Sequence, residues 1–177
     1  HIDEANIELL QEWKIRELIK KYSNYVGVPI LMDVDKTDEK WDIIGSKNEQ
    51  LNESKSIWSK NKSEITPEVY NEFYKTVSMD FNEPLTHIHN NVEGAVSYKS
   101  LLYVPKKKNM FVNMADPGRE FGPKLYVKNV LILENCKELL PVWMRNISGV
   151  VETSDIPLNV SRELLQSHTV LEKIKKG

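Results

Sequence analysis

The apolar run Val130–Leu133 constrains the fold of this chain more than any other stretch of its sequence. Its four aliphatic residues end a predicted strand over residues 124–133. An uninterrupted run of this kind favours a strand that is buried on both of its faces. Strands buried in this way occur in sheets that helices cover on both sides. The run therefore favours an α/β fold.

Helical and strand-like patterns alternate along the rest of the chain. Thr66-Pro67-Glu68 offers a capping hydroxyl, a proline at the first helical position and an acid, which together predict the start of a helix. Further helices are predicted over residues 4–25, 136–146 (with Pro141 starting a second short helix) and 161–176, and further strands over 29–34, 92–104 and 150–151. Residues 35–54 are polar and lack a period, so we expect a surface loop there. The alternation predicts a single α/β domain with a small mixed sheet.

Composition excludes several classes of protein. The 177 residues are 40% hydrophobic and 28% charged, as in a globular domain with a real core. The formal net charge of -2 gives no strong field for nucleic acid or membranes, and no apolar run approaches the roughly 20 residues that span a bilayer. The single cysteine, Cys136, cannot form an internal disulfide, which favours a reducing compartment. The chain lacks an initiator methionine and begins within a predicted helix, so we expect it to be a piece of a longer protein.

The start of the last predicted helix has the composition of an anion site. Ser161 is a candidate N-cap, Arg162 falls at the first helical position, and Gln166 lies one turn further on the same face. Free backbone N–H groups and a guanidinium together can bind a phosphate. A surface ion pair of Arg162 is the alternative, and spacing alone favours it.

A longer motif surrounds this helix start. Residues 149–166 read GVVETSDIPLNVSRELLQ, and this stretch resembles the signature of the middle domain of the heat-shock protein 90 family. Other stretches agree in the same order, namely residues 14–23 (KIRELIKKYS), 57–61 (IWSKN), 72–75 (EFYK), 92–94 (VEG), 102–105 (LYVP) and 124–127 (KLYV). The resemblance covers nearly the whole chain and fades in residues 35–54 and 106–123.

The resemblance implies that residues 1–177 are the first, larger part of the middle domain, a three-layer α/β/α sandwich. Members of the family are dimeric ATP-dependent chaperones that assist protein folding under stress. An N-terminal domain binds ATP, with Mg²⁺ expected beside it, and a C-terminal domain dimerises. Both domains are expected outside this chain, which alone should be inactive. Clients, the N-terminal domain and co-chaperones are the implied partners, without nucleic acid or membrane, in the cytoplasm or in an organelle such as a mitochondrion or plastid.

The resemblance also assigns roles to single residues. The family's catalytic arginine falls on Arg162, and its accompanying polar residues fall on Gln166 and Asn159. Ile156 and Ser161 fall where the middle domain contacts the N-terminal domain. An arginine supplied from another domain would stabilise charge on the transferring phosphate only when the domains close.

Client contacts are implied at two further places. Trp58 matches an exposed aromatic residue of the family, and its polar neighbours make partial exposure as reasonable as a place in the core. Met110 and Phe111 keep apolar bulk where relatives have a client-binding loop, although the lysines before them depart from the usual pattern.

Other residues were weighed for chemistry. His87 and His89 would lie on one side of a strand, but no third metal ligand of suitable spacing follows, so structural histidines and no metal are expected. Cys136 reads as a packed or partly exposed helix thiol rather than a nucleophile. Two alternatives to the chaperone hypothesis stay open, a non-enzymatic protein-interaction module of the same fold and a free-standing small α/β enzyme.

Overall fold

A computed structural model describes residues 7, 9–37, 43–107, 120–157 and 169–176, and all structural statements concern these residues. The chain divides into two compact units, residues 1–56 and 57–177. In the part of the chain that is described, no helix has both the length and the apolar composition needed to cross a membrane.

The described residues of the first unit include a helix and a hairpin. Helix α1, Glu12–Leu18, runs on into a π-helical turn at Ile19–Ser23, which confirms the central part of the predicted helix. Strands β1, Leu31–Thr37, and β2, Ile43–Gln50, pair antiparallel. The surface loop predicted over residues 35–54 is therefore wrong. Residues 45–48 of β2 are all exposed, so this part of the strand has no buried face that would produce an alternating pattern.

Two polar contacts hold the first unit together. The Arg16 guanidinium donates two hydrogen bonds to the Glu49 carboxylate, at 2.9 and 3.0 Å, and so ties α1 to β2. The buried Asn52 side chain accepts from the Ile30 N–H at 2.8 Å and donates to the carbonyls of Val28 and Val26. Asn52 thereby satisfies backbone groups in the connection that enters β1.

The second unit is built on a five-stranded sheet. Its described residues form the helices α2, Pro67–Ser78, and α3, Thr169–Lys176. Its strands are β3, Pro84–Val92; β4, Tyr98–Pro105; β5, Lys124–Val127; β6, Val130–Leu133; and β7, Ser148–Thr153. The strand order is β3-β4-β7-β5-β6, with β5 and β7 parallel and the other pairs antiparallel. The sheet is thus mixed and open, which confirms the predicted α/β class.

The two faces of this sheet pack against different elements. On one face the ring of Tyr126 lies 4.8 Å from that of Trp58, and the ring of Tyr74 in α2 lies 5.2 Å from that of Tyr103. On the other face Leu125 and Val127 belong to a buried cluster that also holds side chains of α3. Because successive residues of a strand point to opposite faces, α2 and α3 pack on opposite sides of the sheet.

Several predicted boundaries are wrong. Residues 92–104 and 124–133 were each expected to form one strand, but the first belongs to the β3–β4 hairpin and the second forms the β5–β6 hairpin. The second hairpin turns at Lys128 and Asn129, with φ values of 49° and 65°, as a tight two-residue turn requires. Val130–Leu133 is not buried on both faces either, since β6 is an edge strand in which only Leu131 is buried.

The region around Cys136 is also less helical than predicted. Residues 136–146 contain two short 3-10 turns, Lys137–Leu139 and Val142–Met144, instead of an α-helix. Pro141 directly precedes the second turn, in keeping with its predicted place at a helix start.

Candidate functional site

Strand β7 carries the start of the long motif through the middle of the sheet. It lies between β4 and β5, and Val127 at the end of β5 is paired with Thr153 at the end of β7. Gly149, at a φ of 142°, lets β7 approach β4 closely, since a Cβ there would collide with the Leu101 carbonyl oxygen. The carboxyl ends of the two parallel strands meet at one edge, which is where ligand sites of open α/β sheets are found. The chain after Thr153 leaves the sheet at this edge.

The chain leaves β7 through a hydrogen-bonded turn around Ser97, in the β3–β4 connection. The Thr153 hydroxyl donates to the Ser97 carbonyl at 2.8 Å, and the Ser97 N–H donates to the Asp155 carboxylate at 2.7 Å. The Asp155 N–H closes the turn by donating to the Thr153 hydroxyl at 3.2 Å. We call Thr153, Asp155 and the backbone N–H and carbonyl of Ser97 the exit clasp.

The next segment is held at both of its ends. Ile156 and Leu171 are 1% and 2% exposed and belong to the same buried cluster. The rest of that cluster comprises Val96, Leu125, Val127, Cys136, Leu139, Val151 and Ile174. The described residues on either side of residues 158–168 are therefore anchored in one core.

Glu152 is a buried carboxylate just before the exit clasp. Its Oε2 atom accepts from the Trp58 indole N–H at 2.5 Å and from the Ser59 hydroxyl at 3.4 Å. Its Oε1 atom accepts from the Asn129 N–H at 3.0 Å, in the β5–β6 turn. The carboxylate thus joins β7 to the 3-10 turn Ile57–Ser59 and to the end of β5, and it fixes the sheet edge from which the motif departs.

Comparison with known proteins shows the family to which this chain belongs. A family model described as "Hsp90 protein" matches residues 35–177. The chain belongs to the Hsp90 family. Relatives named "Chaperone protein HtpG" from Geobacter sulfurreducens and from Escherichia coli O1:K1 / APEC are 44% and 41% identical to this chain over its whole length. The chain spans only 29% and 28% of the length of these two relatives.

The residues expected to act on phosphate in this Hsp90-family chain are Asn159, Ser161, Arg162 and Gln166. All four lie in residues 158–168, outside the described residues, so their roles stay predictions. Met110 and Phe111 also lie outside the described residues. The structure describes the two flanks of the 158–168 segment, and both flanks are anchored.

Ile156 has a different environment from the one expected. The resemblance placed it at a contact with another domain, but its side chain is 1% exposed and packs in the core of its own unit. A contact of the Ile156 side chain with a second domain would require that core to open.

Trp58 needs a similar correction. Partial exposure was weighed because its sequence neighbours are polar, yet the side chain is 1% exposed and packs against the rings of Tyr126 and Phe73. The polar neighbours do not indicate exposure of Trp58, because one of them, Ser59, donates its hydroxyl to the buried Glu152. Trp58 can reach a client protein only if this packing opens.

The two histidines of β3, His87 and His89, both contact Tyr70 of α2. The Nδ1 atom of His89 lies 2.8 Å from the Tyr70 hydroxyl and its Nε2 atom lies 3.0 Å from the Trp58 carbonyl oxygen. Since a carbonyl only accepts, the Nε2 atom of His89 carries a proton and donates to the Trp58 carbonyl. The ring of His87 stacks on Tyr70 at 4.0 Å, and burial lowers the pKa of His87, with the charges of His89 and Lys62 adding to the effect. Within the described ranges no group of three or more His, Cys, Asp or Glu side chains is arranged to hold a metal ion.

Neither the exit clasp nor the burial of Glu152 was predicted from the sequence. A Thr-Ser-Asp sequence directly after a short apolar strand is a signal for a side-chain-bonded turn, and it was available at residues 153–155. No comparable signal marks Glu152, because a glutamate in a strand is usually solvated.

Proposed function

We propose that this chain is the part of an ATP-dependent chaperone that completes the ATPase site of another domain. Family membership and the printed names of the relatives, "Chaperone protein HtpG", support the chaperone class. One observation supports the location of the site. The motif segment 158–168 follows the carboxyl end of β7 and is flanked by Ile156 and Leu171, which are buried in one core. A segment anchored at both ends can hold a cation in a fixed place.

The proposed chemistry needs only positioning and charge. ATP, with Mg²⁺, is held by the other domain and supplies the phosphoryl group. Arg162 offers a planar guanidinium to the oxygens of that group, where negative charge spreads in the transition state. Gln166 and Asn159 are proposed to contribute amide groups to the same phosphate, and Ser161 is proposed to contact the other domain. The rate then depends on closure of the two domains, which couples hydrolysis to conformation.

The proposal includes the partners that the family resemblance implies. Clients are bound through apolar side chains, for which Met110 and Phe111 are the candidates in this chain. The whole protein is proposed to be a homodimer that co-chaperones regulate. We place it in a reducing compartment, the bacterial cytoplasm in the case of the HtpG relatives, because the only cysteine is fully buried and unpaired.

A non-enzymatic interaction module is the second candidate. It is favoured by large apolar side chains that face solvent, among them Phe81 and Met79, which are 86% and 80% exposed. Exposed apolar surface is typical of proteins that bind other proteins.

Replacement of Arg162 in the intact protein tests the proposal. Arg162→Ala should lower kcat for ATP hydrolysis by at least about tenfold and leave ATP affinity nearly unchanged, because the arginine acts on the transition state. Arg162→Lys should recover only part of the rate, since a lysine lacks the planar fork. Arg145→Ala, an arginine of the same unit outside the motif, is the matched control and should keep the wild-type rate. An unchanged kcat in Arg162→Ala would contradict the proposal and favour the interaction module.

The isolated chain provides a separate test. It should neither bind nor hydrolyse ATP appreciably, because the nucleotide belongs to another domain. Rapid hydrolysis by the isolated chain would instead favour a free-standing enzyme.

A further inference from the structure

We propose that the open edge of β3 binds an extended segment of another polypeptide, one that alternates apolar and polar residues between basic ends. Strand β3, Pro84–Val92, lies first in the strand order and pairs with β4 alone among the described strands. The inference goes beyond the proposed function, which assigns client contacts to Met110 and Phe111. It involves neither ATP nor the Arg162 motif.

Strand β3 differs from the edge strands that proteins usually expose. It is nine residues long, and its sequence PLTHIHNNV contains no charged residue. Pro84 and a register shift before Thr86 interrupt its first end only, and the pairing with β4 is regular from Thr86 to Val92. Exposed edges are usually short, charged or bulged, because their free N–H and carbonyl groups pair with other chains. The opposite edge strand of this sheet, β6, is indeed short, with four residues.

The main chain of β3 is available for a further strand. Only His89 among its nine residues is buried. In the described part of the chain, β4 alone hydrogen-bonds to the β3 main chain. Alternate residues of an antiparallel edge strand direct their N–H and carbonyl groups away from the paired strand. An extended polypeptide about 4.8 Å away presents the matching row of groups, which makes an extended segment the natural occupant.

The side chains of β3 favour an occupant with two different faces. His87 and His89 contact Tyr70 of α2, so Ile88 between them lies on the opposite face of the sheet. Ile88 is 47% exposed and is paired with Leu102, which packs against the buried cluster on the α3 side. An added strand would therefore place apolar side chains beside Ile88 and polar ones beside His87.

Charge at the two ends of β3 completes the description of the occupant. Glu83 directly precedes the strand and Glu93 directly follows it, and both are exposed. A strand of this length spans about 30 Å, so the two carboxylates favour lysine or arginine near both ends of the added segment. Exposed ion pairs contribute little to affinity, so these carboxylates select among segments that the main chain binds.

A designed peptide and the intact protein test the edge. The probe is a fluorescent peptide of three Val-Thr repeats between two lysine pairs, and fluorescence anisotropy measures its Kd. Ile88→Lys should raise the Kd at least about fivefold, because a charge replaces the apolar contact at the edge. Ile88→Val should bind like the wild type. Val142→Lys is the matched control and should also bind like the wild type, since Val142 is an aliphatic residue of the same unit, 65% exposed and outside the sheet.

Methylation of the probe's main chain tests the hydrogen bonds without any change to the protein. Two isomers carry N-methyl groups on alternate amides, one on the odd and one on the even positions of the repeats. At least one isomer should bind about tenfold more weakly, because its donors towards β3 are lost. Bound parent peptide should also slow amide hydrogen exchange in residues 84–92 and leave exchange in β6 unchanged. These two measurements decide the question even if Ile88→Lys does not fold.

The outcomes separate this inference from its rivals. It is overturned if both methylated isomers bind as tightly as the parent, or if Ile88→Lys folds and keeps the wild-type Kd. An equal rise of the Kd in Val142→Lys would show a general effect of added charge and would also overturn it. If the peptide does not bind and Ile88→Lys instead changes the sedimentation of the protein, the edge pairs with a second copy and the inference is wrong. Arg162→Ala should keep the wild-type Kd for the peptide, so failure of the edge leaves the proposed ATPase role standing.

Discussion

The indole N–H of Trp58 donates to the Glu152 carboxylate at 2.5 Å, across 94 positions of the chain. Both side chains are buried, at 1% and 7% exposure. The tryptophan gains a polar partner inside the unit, and the carboxylate gains one of the donors that compensate its loss of water. This bond joins the packing of the α2 side of the sheet to the strand from which the Arg162 motif departs.

Replacement of Trp58 should therefore destabilise the second unit strongly. Trp58→Ala is expected to lower the free energy of unfolding by about 3–5 kcal/mol, as for other buried aromatic residues. Trp143→Ala is the control, since the Trp143 side chain is 78% exposed, and it should change the same quantity by less than about 0.5 kcal/mol. Urea denaturation followed by circular dichroism measures both values. Equal losses in the two variants would show that Trp58 is not a core residue in solution.

Replacement of Glu152 should lower the free energy of unfolding, and alanine should lower it more than glutamine. Glu152→Ala leaves the Trp58 indole N–H and the Asn129 N–H without their acceptor, at about 1–3 kcal/mol for each group. Glu152→Gln keeps one acceptor oxygen but turns an amide donor towards the other N–H, so an intermediate loss is expected. A double-mutant cycle with Trp58→Phe, which removes the indole donor, isolates the bond. The bond is absent in solution if the two substitutions are simply additive.

Features with a local cause were predictable from the sequence. The start of α2 at Pro67 follows from the restricted backbone of proline, although the predicted capping hydroxyl of Thr66 makes no cap hydrogen bond. Strand β1 at Leu31–Thr37 follows from a short apolar run. The α/β class followed from the alternation of such local signals. Each of these predictions needed information from only a few neighbouring residues.

Features that depend on distant partners were not predictable. Val130–Leu133 reads as a central strand, yet it forms the edge of the sheet, because strand order depends on which distant segments pair. Strand β2 has no apolar alternation and is defined by its pairing with β1. The partners of Glu152 come from two distant places in the chain, residues 58–59 and residue 129, so no local pattern indicates its burial.

Asp80, in the turn after α2, should make the free energy of unfolding fall at acid pH. The Asn82 N–H holds the pKa of the Asp80 carboxyl below its usual value, and hydrogen bonds from the Asn82 side chain and the Tyr74 hydroxyl help, while burial acts in the opposite direction. A pKa that is lower in the folded state adds stability above the unfolded value of about 3.9 and loses it as the pH falls through the folded value. Unfolding at pH 6, 4 and 3 should show a smaller acid-induced loss for Asp80→Asn than for the wild type. Identical pH profiles would contradict this role of Asp80.

Cys136 should make the free energy of unfolding fall at alkaline pH. Burial, together with the charge of Glu138 and a hydrogen bond to that carboxylate, raises the pKa of its thiol to about 12. The unfolded thiol has a pKa of about 8.5, so its stabilising contribution is complete below that pH and is lost progressively between about 8.5 and 12. Between pH 8 and pH 10 the wild type should lose on the order of 1–2 kcal/mol more than Cys136→Ala. Tyr25 and Tyr74, whose pKa values burial raises to about 12, contribute equally to both proteins, so the difference isolates the thiol.

Thiol labelling checks the same group independently. At pH 8 the folded chain should resist iodoacetamide, because the thiol is fully buried and protonated, whereas the urea-unfolded chain should react at the rate of a free cysteine. Rapid labelling of the folded chain would mean that Cys136 is accessible in solution, and the alkaline prediction would then lose its physical basis.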